Sequence, residues 1–270
     1  LEVSFTSQID TVRDFQLPRI GLGTWSLRGE QCVNAVCCAL QCGYRLIDTA
    51  SFYGNEKEVG EAVRRSGLSR EKVIIQTKLY PDQYDQASKA IDDALKKLNL
   101  DYIDIMMLHH PAENDVSAYR AIEQAIARRK VRAAGLSCYY IQETTAFLPQ
   151  VDIQPVLIQN EIHPFYQDKT VVKHLQSLGI AVQSWYPFGG RGHAQELFQN
   201  SVLLTIARTY GKTVAQIILR WHLQRGVTVI PGSCDQEHIK ENLAIFDFQL
   251  SQEDMQKIES LDRKEKHDWY

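Results

Sequence analysis

The most informative segment of the chain is Leu46-Ile47-Asp48-Thr49-Ala50-Ser51-Phe52-Tyr53-Gly54-Asn55-Glu56. It joins a short apolar run, which ends in Asp48, to a helix-like pattern that begins at Glu56. Asn55 is a residue type favoured at helix N-caps, and Glu58 three positions later fits as its reciprocal capping partner. The stretch therefore predicts a strand, a loop and a helix, with a polar side chain at the carboxyl end of the strand.

Strand-like and helix-like runs of this kind alternate along the chain with a period of roughly 30 residues, as βα units do. The predicted strands are residues 20–23, 45–48, 73–78, 103–109, 133–137, 156–160, 181–184 and 228–230. The predicted helices are residues 33–41, 56–64, 87–98, 118–129, 169–178, 214–224 and 252–261. Thr213 is a further N-cap candidate, and Gly179 and Gly226 follow predicted helix ends, where a left-handed residue is favoured.

The predicted strands are continuous apolar runs, such as Val73-Ile74-Ile75. Strands of parallel sheets read this way because helices cover both of their faces. Eight strands, of which all but the fifth are followed by a predicted helix, predict an α/β protein with the (β/α)8 TIM barrel fold. We expect one such domain over residues 1–270, with a β-hairpin before Ile20 closing the bottom of the barrel.

The composition is that of an ordinary globular protein, with 44% hydrophobic and 23% charged residues. A formal net charge of −3 predicts no strong attraction to nucleic acid or to an anionic membrane. No apolar run approaches the roughly 18 residues of a membrane span, and the first residues lack signal-peptide features. We expect a cytoplasmic protein, monomeric or weakly oligomeric, with reduced cysteines and, in the absence of a CxxC pair, no bound metal.

Three neighbouring predicted strands each end in an ionisable side chain. Asp48 ends the second strand, Lys78 the third and His109 the fourth, while Tyr53 lies in the loop after the second. The carboxyl ends of barrel strands form one rim, where barrel enzymes carry their chemistry. A lone lysine at a strand end is usually a solvated charge, but four complementary groups at adjacent strand ends favour a catalytic site.

These four groups suit the reduction of a carbonyl, which needs hydride at carbon and a proton at oxygen. Tyr53 is expected to be the general acid in reduction and the base in oxidation. A lysine ammonium near a phenol favours the phenolate, so Lys78 is expected to lower the pKa of Tyr53 from its ordinary value of about 10. Asp48 would hold Lys78 charged, and His109 would donate to the carbonyl oxygen as negative charge develops there.

Further motifs along the chain carry a family resemblance. They are Leu17-Pro18-Arg19-Ile20-Gly21-Leu22-Gly23-Thr24-Trp25, the Asp48 to Gly60 segment, Leu108-His109-His110-Pro111, Gln159-Asn160-Glu161-Ile162-His163-Pro164 and Ile230-Pro231-Gly232-Ser233. With these motifs the chain resembles the aldo-keto reductases over nearly its full length. That family is a (β/α)8 barrel that reduces aldehydes and ketones with a nicotinamide cofactor, usually NADPH, and its catalytic tetrad falls on Asp48, Tyr53, Lys78 and His109.

The resemblance also implies binding residues. Ser137 and Gln159 would bond the nicotinamide carboxamide, and Trp185 would stack on the ring. The full set of expected cofactor-binding residues is Thr24, Asp48, Ser137, Gln159, Trp185, Phe188, Gly190, Arg191, Ser233, His238, Glu241 and Asn242. The residues expected to line the pocket for an aldehyde or ketone substrate are Trp25, Phe52, Tyr80 and His110.

The adenine end of the expected cofactor site departs from the family pattern. The family commonly places a lysine before Ser233 and an arginine five residues after it, and both bind the 2′-phosphate. Here those positions hold Gly232 and His238. We expect NADP(H) to be favoured, with Ser233, His238 and Lys240 serving the phosphate, and we keep NAD(H) as an alternative.

Two other interpretations of the sequence are open. Tyr53 and Lys57 form a Tyr-x-x-x-Lys pair, as in short-chain dehydrogenases, but the glycine-rich turn of those enzymes is missing and Lys57 is expected to be a solvated helix residue. Some proteins of the resembled fold are cofactor-binding regulatory subunits with little turnover. The complete tetrad favours an enzyme over such a regulator.

Overall fold

The computed structural model describes residues 8–190 and 192–268. It begins with an antiparallel hairpin of β1 (Ile9–Val12) and β2 (Phe15–Pro18). Arg13 and Asp14, the two residues between the strands, have φ angles of 47° and 68°. Two consecutive left-handed residues form the type I′ turn that matches the twist of a two-residue hairpin.

Eight parallel strands follow and form the barrel. They are β3 (Leu22–Gly23), β4 (Leu46–Asp48), β5 (Ile74–Leu79), β6 (Ile103–Leu108), β7 (Val131–Ser137), β8 (Leu157–Glu161), β9 (Ala181–Trp185) and β10 (Val227–Val229). Each strand pairs with the next along the chain, as in the pairs Lys78 with Met107 and Ser137 with Gln159. The fold is therefore the (β/α)8 barrel that the sequence predicts, and each strand lies within two residues of its predicted bounds.

The seam between β3 and β10 closes the barrel. Parallel bridges join Ile20 to Val229 and Gly23 to Gly232. An ideal Cβ on Gly23 would lie 2.7 Å from the carbonyl oxygen of Ile230, so only glycine allows the first and last strands to approach this closely.

Helices cover the outside of the barrel. They are α1 (Gly29–Cys42), α2 (Glu56–Arg65), α3 (Ala87–Leu98), α4 (Asp115–Ala127), α5 (Ile141–Phe147), α6 (Lys169–Ser177), α7 (Ala194–Phe198), α8 (Ser201–Tyr210), α9 (Val214–Gln224), α10 (Gln236–Leu243) and α11 (Gln252–Glu259). Helices α5, α7, α8 and α10 were not predicted from the sequence. Over the described ranges, no helix combines the length and apolar character that a membrane span requires.

The predicted helix caps are mostly correct, although α1 begins four residues and α4 three residues before the predicted starts. Thr213 accepts a hydrogen bond from the backbone N–H of Gln216 and forms a full capping box. Gly179 and Gly226 both have a φ of +68°. The prediction for Asn55 is wrong in one respect, because Asn55 occupies the N-cap position of α2 but its side chain makes no capping bond.

The apolar core has two parts. The larger lies between the barrel and its helices, and the smaller fills the barrel interior. Phe15 and Leu17 of the hairpin pack with Leu46, Met107 and Leu157 in this inner cluster. The hairpin therefore closes the bottom of the barrel, as expected, and leaves the carboxyl ends of the strands as the open end.

Candidate active site

Lys78 links the groups at the open end of the barrel. Its Nζ lies 2.6 Å from Asp48 Oδ1 and 3.2 Å from Tyr53 Oη, and it also donates to the carbonyl oxygen of Thr49 at 3.1 Å. Asp48 ends β4 and Lys78 lies on the neighbouring β5, while Tyr53 closes a 3₁₀ turn over Ser51–Tyr53. Lys78 and Asp48 are almost fully buried, with 1% and 2% exposure.

Asn55 fixes the loop that carries Tyr53. Its Nδ2 donates to the carbonyl oxygens of Thr24 and Leu27, at 2.9 and 3.0 Å, and its Oδ1 accepts from Thr49 Oγ1 at 2.6 Å. These bonds tie the loop after β4 to the loop after β3. The side chain is used for loop anchoring, which is why it does not cap α2.

Burial dominates the electrostatics of the phenol and the amine. Loss of solvent raises the pKa of Tyr53 well above 10, and the negative charge of Asp48 raises it further. Burial also lowers the pKa of Lys78, although the Asp48 carboxylate opposes that shift. The expected lowering of the Tyr53 pKa by Lys78 is therefore not seen, because desolvation outweighs the neighbouring ammonium. Tyr53 is a neutral phenol that holds its proton at neutral pH.

His109 follows β6 and is also kept neutral. Burial first, and the positive charge of Lys78 second, lower its pKa well below 6.5. The ring stacks on His110 at 4.5 Å and meets Tyr53 edge-on at 5.8 Å. A neutral imidazole retains one N–H donor. Burial likewise lowers the pKa of His110 to about 4.

Aromatic rings surround the phenol. Phe52 stacks between Trp25 and Tyr80, with ring centroids 5.8 and 4.4 Å away. Phe52 is 51% exposed. The four residues expected to form a substrate pocket, namely Trp25, Phe52, Tyr80 and His110, all line one cavity with Tyr53 and His109.

That cavity has a volume of about 670 Å³, within the usual range for ligand pockets. Of the residues expected at the nicotinamide, Ser137, Gln159 and Trp185 line it, together with Phe188 and Gly190. The indole Nε1 of Trp185 is buried and has no partner among the described residues. The cavity thus offers a flat ring and polar groups beside the tetrad, which fits a nicotinamide.

The far end of the cavity lies at the start of α10. Ser233 and His238, both expected to bind the cofactor, line it together with Asp235. The Asp235 carboxylate caps the helix, accepting from the backbone N–H groups of Glu237 and His238, and these bonds lower its pKa below 3.8. Lys240, expected to serve a phosphate, lies 2.7 Å from the Glu237 carboxylate.

Three of the expected cofactor residues are not brought to the cavity lining. Thr24 is buried and donates to the Asp48 carbonyl oxygen at 2.8 Å. Glu241 accepts from Thr213 Oγ1 at 2.6 Å, and neither it nor the buried Asn242 lies in the cavity lining. A fourth expected residue, Arg191, falls outside the described residues.

Two glutamines beneath the tetrad were not predicted from the sequence. Gln76 lies two positions before Lys78, and Gln183 two positions before Trp185, so each shares a strand face with an expected site residue. Gln76 Nε2 donates to Asp48 Oδ1 at 2.6 Å. The available signal was a polar residue on the same strand face as, and two positions before, an expected site residue. Asp268, in the C-terminal segment, also lines the cavity, and no sequence motif marked it.

Comparison with known proteins identifies the family. The model of the Aldo/keto reductase family matches residues 19–263. The chain belongs to the Aldo/keto reductase family. Two curated relatives of the chain are the glyoxal reductase of Bacillus subtilis (strain 168), 37% identical over 97% of this chain and 96% of that protein, and the morphine 6-dehydrogenase of Pseudomonas putida, 34% identical over 92% of this chain and 88% of that protein.

A solved structure agrees with the family assignment. MGS-M4, an aldo-keto reductase enzyme from a Medee basin deep-sea metagenome library, has a TM-score of 0.92 to this chain. The two sequences are 35% identical, and the match covers 96% of each chain. The chain therefore shares both sequence and barrel geometry with a family member over nearly its whole length.

Proposed function

We propose that this protein reduces small aldehydes and ketones to alcohols with NADPH, as a single barrel domain. One observation carries the proposal: Lys78 Nζ contacts both Asp48 Oδ1 and Tyr53 Oη in a cavity lined by aromatic rings. The names of its relatives, glyoxal reductase and morphine 6-dehydrogenase, agree with carbonyl and alcohol chemistry.

The proposed mechanism divides the work among four side chains. When bound, the nicotinamide cofactor supplies hydride to the carbonyl carbon. Tyr53 Oη gives its proton to the carbonyl oxygen, and in the reverse direction it takes that proton back. Because an alkoxide is a stronger base than a phenolate, Tyr53 serves as the donor even though its pKa is raised.

Lys78, His109 and Asp48 stabilise the charges that develop. The ammonium of Lys78 donates to Tyr53 Oη at 3.2 Å and stabilises the phenolate left after proton transfer. The N–H of neutral His109 donates to the carbonyl oxygen. Asp48 keeps the ammonium charged in a site where burial favours the neutral amine.

The proposed choice of NADPH over NADH rests on the residues at the start of α10. Ser233 and His238 offer donors to a 2′-phosphate, whereas the carboxylate of Asp235 repels one. We therefore propose NADPH as the better substrate, by a small margin. Comparing kcat/KM for the two cofactors measures that margin, and a ratio that favours NADH would overturn this choice.

The proposed function is tested by mixing the protein with NADPH and a panel of aldehydes and ketones, and following loss of the reduced cofactor by absorbance. We expect turnover with several aldehydes, and a loss of at least about 100-fold in kcat for Tyr53→Phe, because general acid catalysis is worth about 10²–10⁴-fold. Tyr119→Phe is the matched control, since Tyr119 is a buried tyrosine whose hydroxyl contacts Ile153 O, remote from the cavity. Cofactor binding without consumption, across the whole panel, would indicate the regulatory alternative.

A further inference from the structure

Three glutamines form a hydrogen-bonded layer inside the barrel, directly beneath the tetrad. Gln76, Gln159 and Gln183 lie on β5, β8 and β9 and are at most 2% exposed. The nitrogens of Gln76 and Gln159 both donate to Asp48 Oδ1, at 2.6 and 3.1 Å. The same two nitrogens donate to Gln183 Oε1, at 2.7 and 2.6 Å.

The charge of Asp48 fixes the orientation of all three amides. A carboxylate accepts hydrogen bonds and cannot donate them, so Gln76 and Gln159 must turn their NH₂ groups toward it. Each NH₂ then has a second N–H directed at Gln183, which must therefore present its oxygen to both. The Gln183 nitrogen faces Gln76 Oε1 at 3.4 Å and completes the layer.

We infer that Gln183 and Gln76 are positioning residues for the tetrad and for the cofactor amide, an inference that rests on the proposed function. Gln183 holds the two neighbouring amides, and those amides hold the Asp48 carboxylate in place beside Lys78. With both N–H groups of Gln159 engaged, its oxygen remains as the acceptor for a ligand in the cavity that Gln159 lines. A carboxamide NH₂ is the group that such an acceptor recognises.

The hold on Asp48 depends on the acceptor at position 183. If that acceptor is removed, both amides become free to rotate away from Asp48. The carboxylate then loses the two hydrogen bonds, from Gln76 and Gln159, that hold it beside Lys78.

The test compares Gln183→Leu with Gln183→Glu, which keeps an oxygen at a similar reach. For Gln183→Leu we expect affinity for NADPH to fall about tenfold, as for the loss of one well-placed hydrogen bond. We also expect kcat to fall, because the Asp48 carboxylate is held less firmly beside Lys78. Gln183→Glu is expected to recover cofactor affinity relative to Gln183→Leu. In the cofactor-free protein, NMR should find slowly exchanging side-chain amide protons on Gln76 and Gln159 that exchange faster in Gln183→Leu.

Gln167→Leu is the matched control, because Gln167 is a fully buried glutamine whose nitrogen contacts Pro164 O and Ile258 O at 2.8 Å, away from the cavity. It is expected to lower stability without changing cofactor affinity, kcat or the amide exchange of Gln76 and Gln159. The inference is overturned if Gln183→Leu, like the control, lowers stability but leaves cofactor affinity and the amide exchange of Gln76 and Gln159 unchanged. If the wild-type protein binds NADPH but consumes none of it, the proposed function fails, while amide exchange and cofactor affinity still decide the inference.

Discussion

At the residue scale, Asp235 combines a structural and an electrostatic effect. Its carboxylate caps α10 through two backbone N–H groups and lines the cavity beside Ser233 and His238. The cap stabilises the helix, but the same negative charge disfavours a phosphate bound nearby. These two effects are separable, because asparagine is as good an N-cap as aspartate.

We expect Asp235→Asn to raise kcat/KM for NADPH relative to NADH by about three- to tenfold, on the order of 1 kcal/mol for one like charge near the surface. The measurement is the ratio of kcat/KM for the two cofactors, taken at low salt so that screening does not hide the effect. Asp247→Asn, on the surface outside the cavity lining, is the control. An unchanged ratio in Asp235→Asn would place the phosphate elsewhere.

At the element scale, the crossing of α2 and α3 depends on Gly60. An ideal Cβ at this position would lie 1.8 Å from Leu98 O, a backbone atom at the end of α3. Glycine in the middle of a helix costs about 1 kcal/mol relative to alanine. The close approach of the two helices explains why this helix carries glycine here.

Gly60→Ala is therefore expected to destabilise the protein by about 2 kcal/mol, even though it improves helix propensity, because overpacking against the backbone outweighs that gain. Urea unfolding of the variant gives this number directly. Lys57→Ala, on the exposed face of the same helix, should stay within about 0.5 kcal/mol of the wild type. A stabilised Gly60→Ala protein would mean that the helices can separate at no cost.

The secondary-structure elements differ in how well the sequence predicts them. Buried strands such as β6 were predictable because a continuous apolar run is typical of a strand that is covered on both faces. Helix α10 was missed because Gln236–Leu243 is mostly polar, with Ile239 and Leu243 as its only apolar residues. Helix α5 was missed because it is short and carries two adjacent threonines. The clash at Gly60 depends on a distance between two helices, which no local pattern encodes.

Some features of the candidate site were predictable from the sequence and others were not. Asp48, Tyr53, Lys78 and His109 were predictable as a group because each stands at or just after the end of an apolar strand. The direction of the Tyr53 pKa shift was not predictable, because it depends on how completely the surrounding rings exclude water. The roles of Gln76 and Gln183 depend on hydrogen bonds across the barrel, between residues more than 100 positions apart.

At the scale of the whole molecule, buried histidines make the fold sensitive to acid. His222 is fully buried, and desolvation lowers its pKa to about 3 even though two backbone carbonyls favour the charged form. Its pKa in the unfolded chain is about 6.5. Between these values the unfolded state binds one proton more than the folded state, so the stability present above pH 6.5 is lost as the pH falls.

We expect the free energy of unfolding to decrease from pH 7 to pH 5, with His222 contributing about 1–2 kcal/mol of the decrease. His222→Gln should reduce this pH dependence, and urea titrations at the two pH values measure it. His174→Gln, at a half-buried position, is the control and should retain the wild-type dependence. Equal slopes in wild type and His222→Gln would contradict the assignment.

The close contact of Gly23 with Ile230 has a consequence for biosynthesis. The first barrel strand is made early, yet its partner emerges from the ribosome only after some two hundred further residues have been translated. Until then the nascent sheet has an open edge at either side, the state in which β-proteins are most prone to aggregate. We expect the growing chain to need chaperone protection during translation, until β10 has been made and the barrel can close.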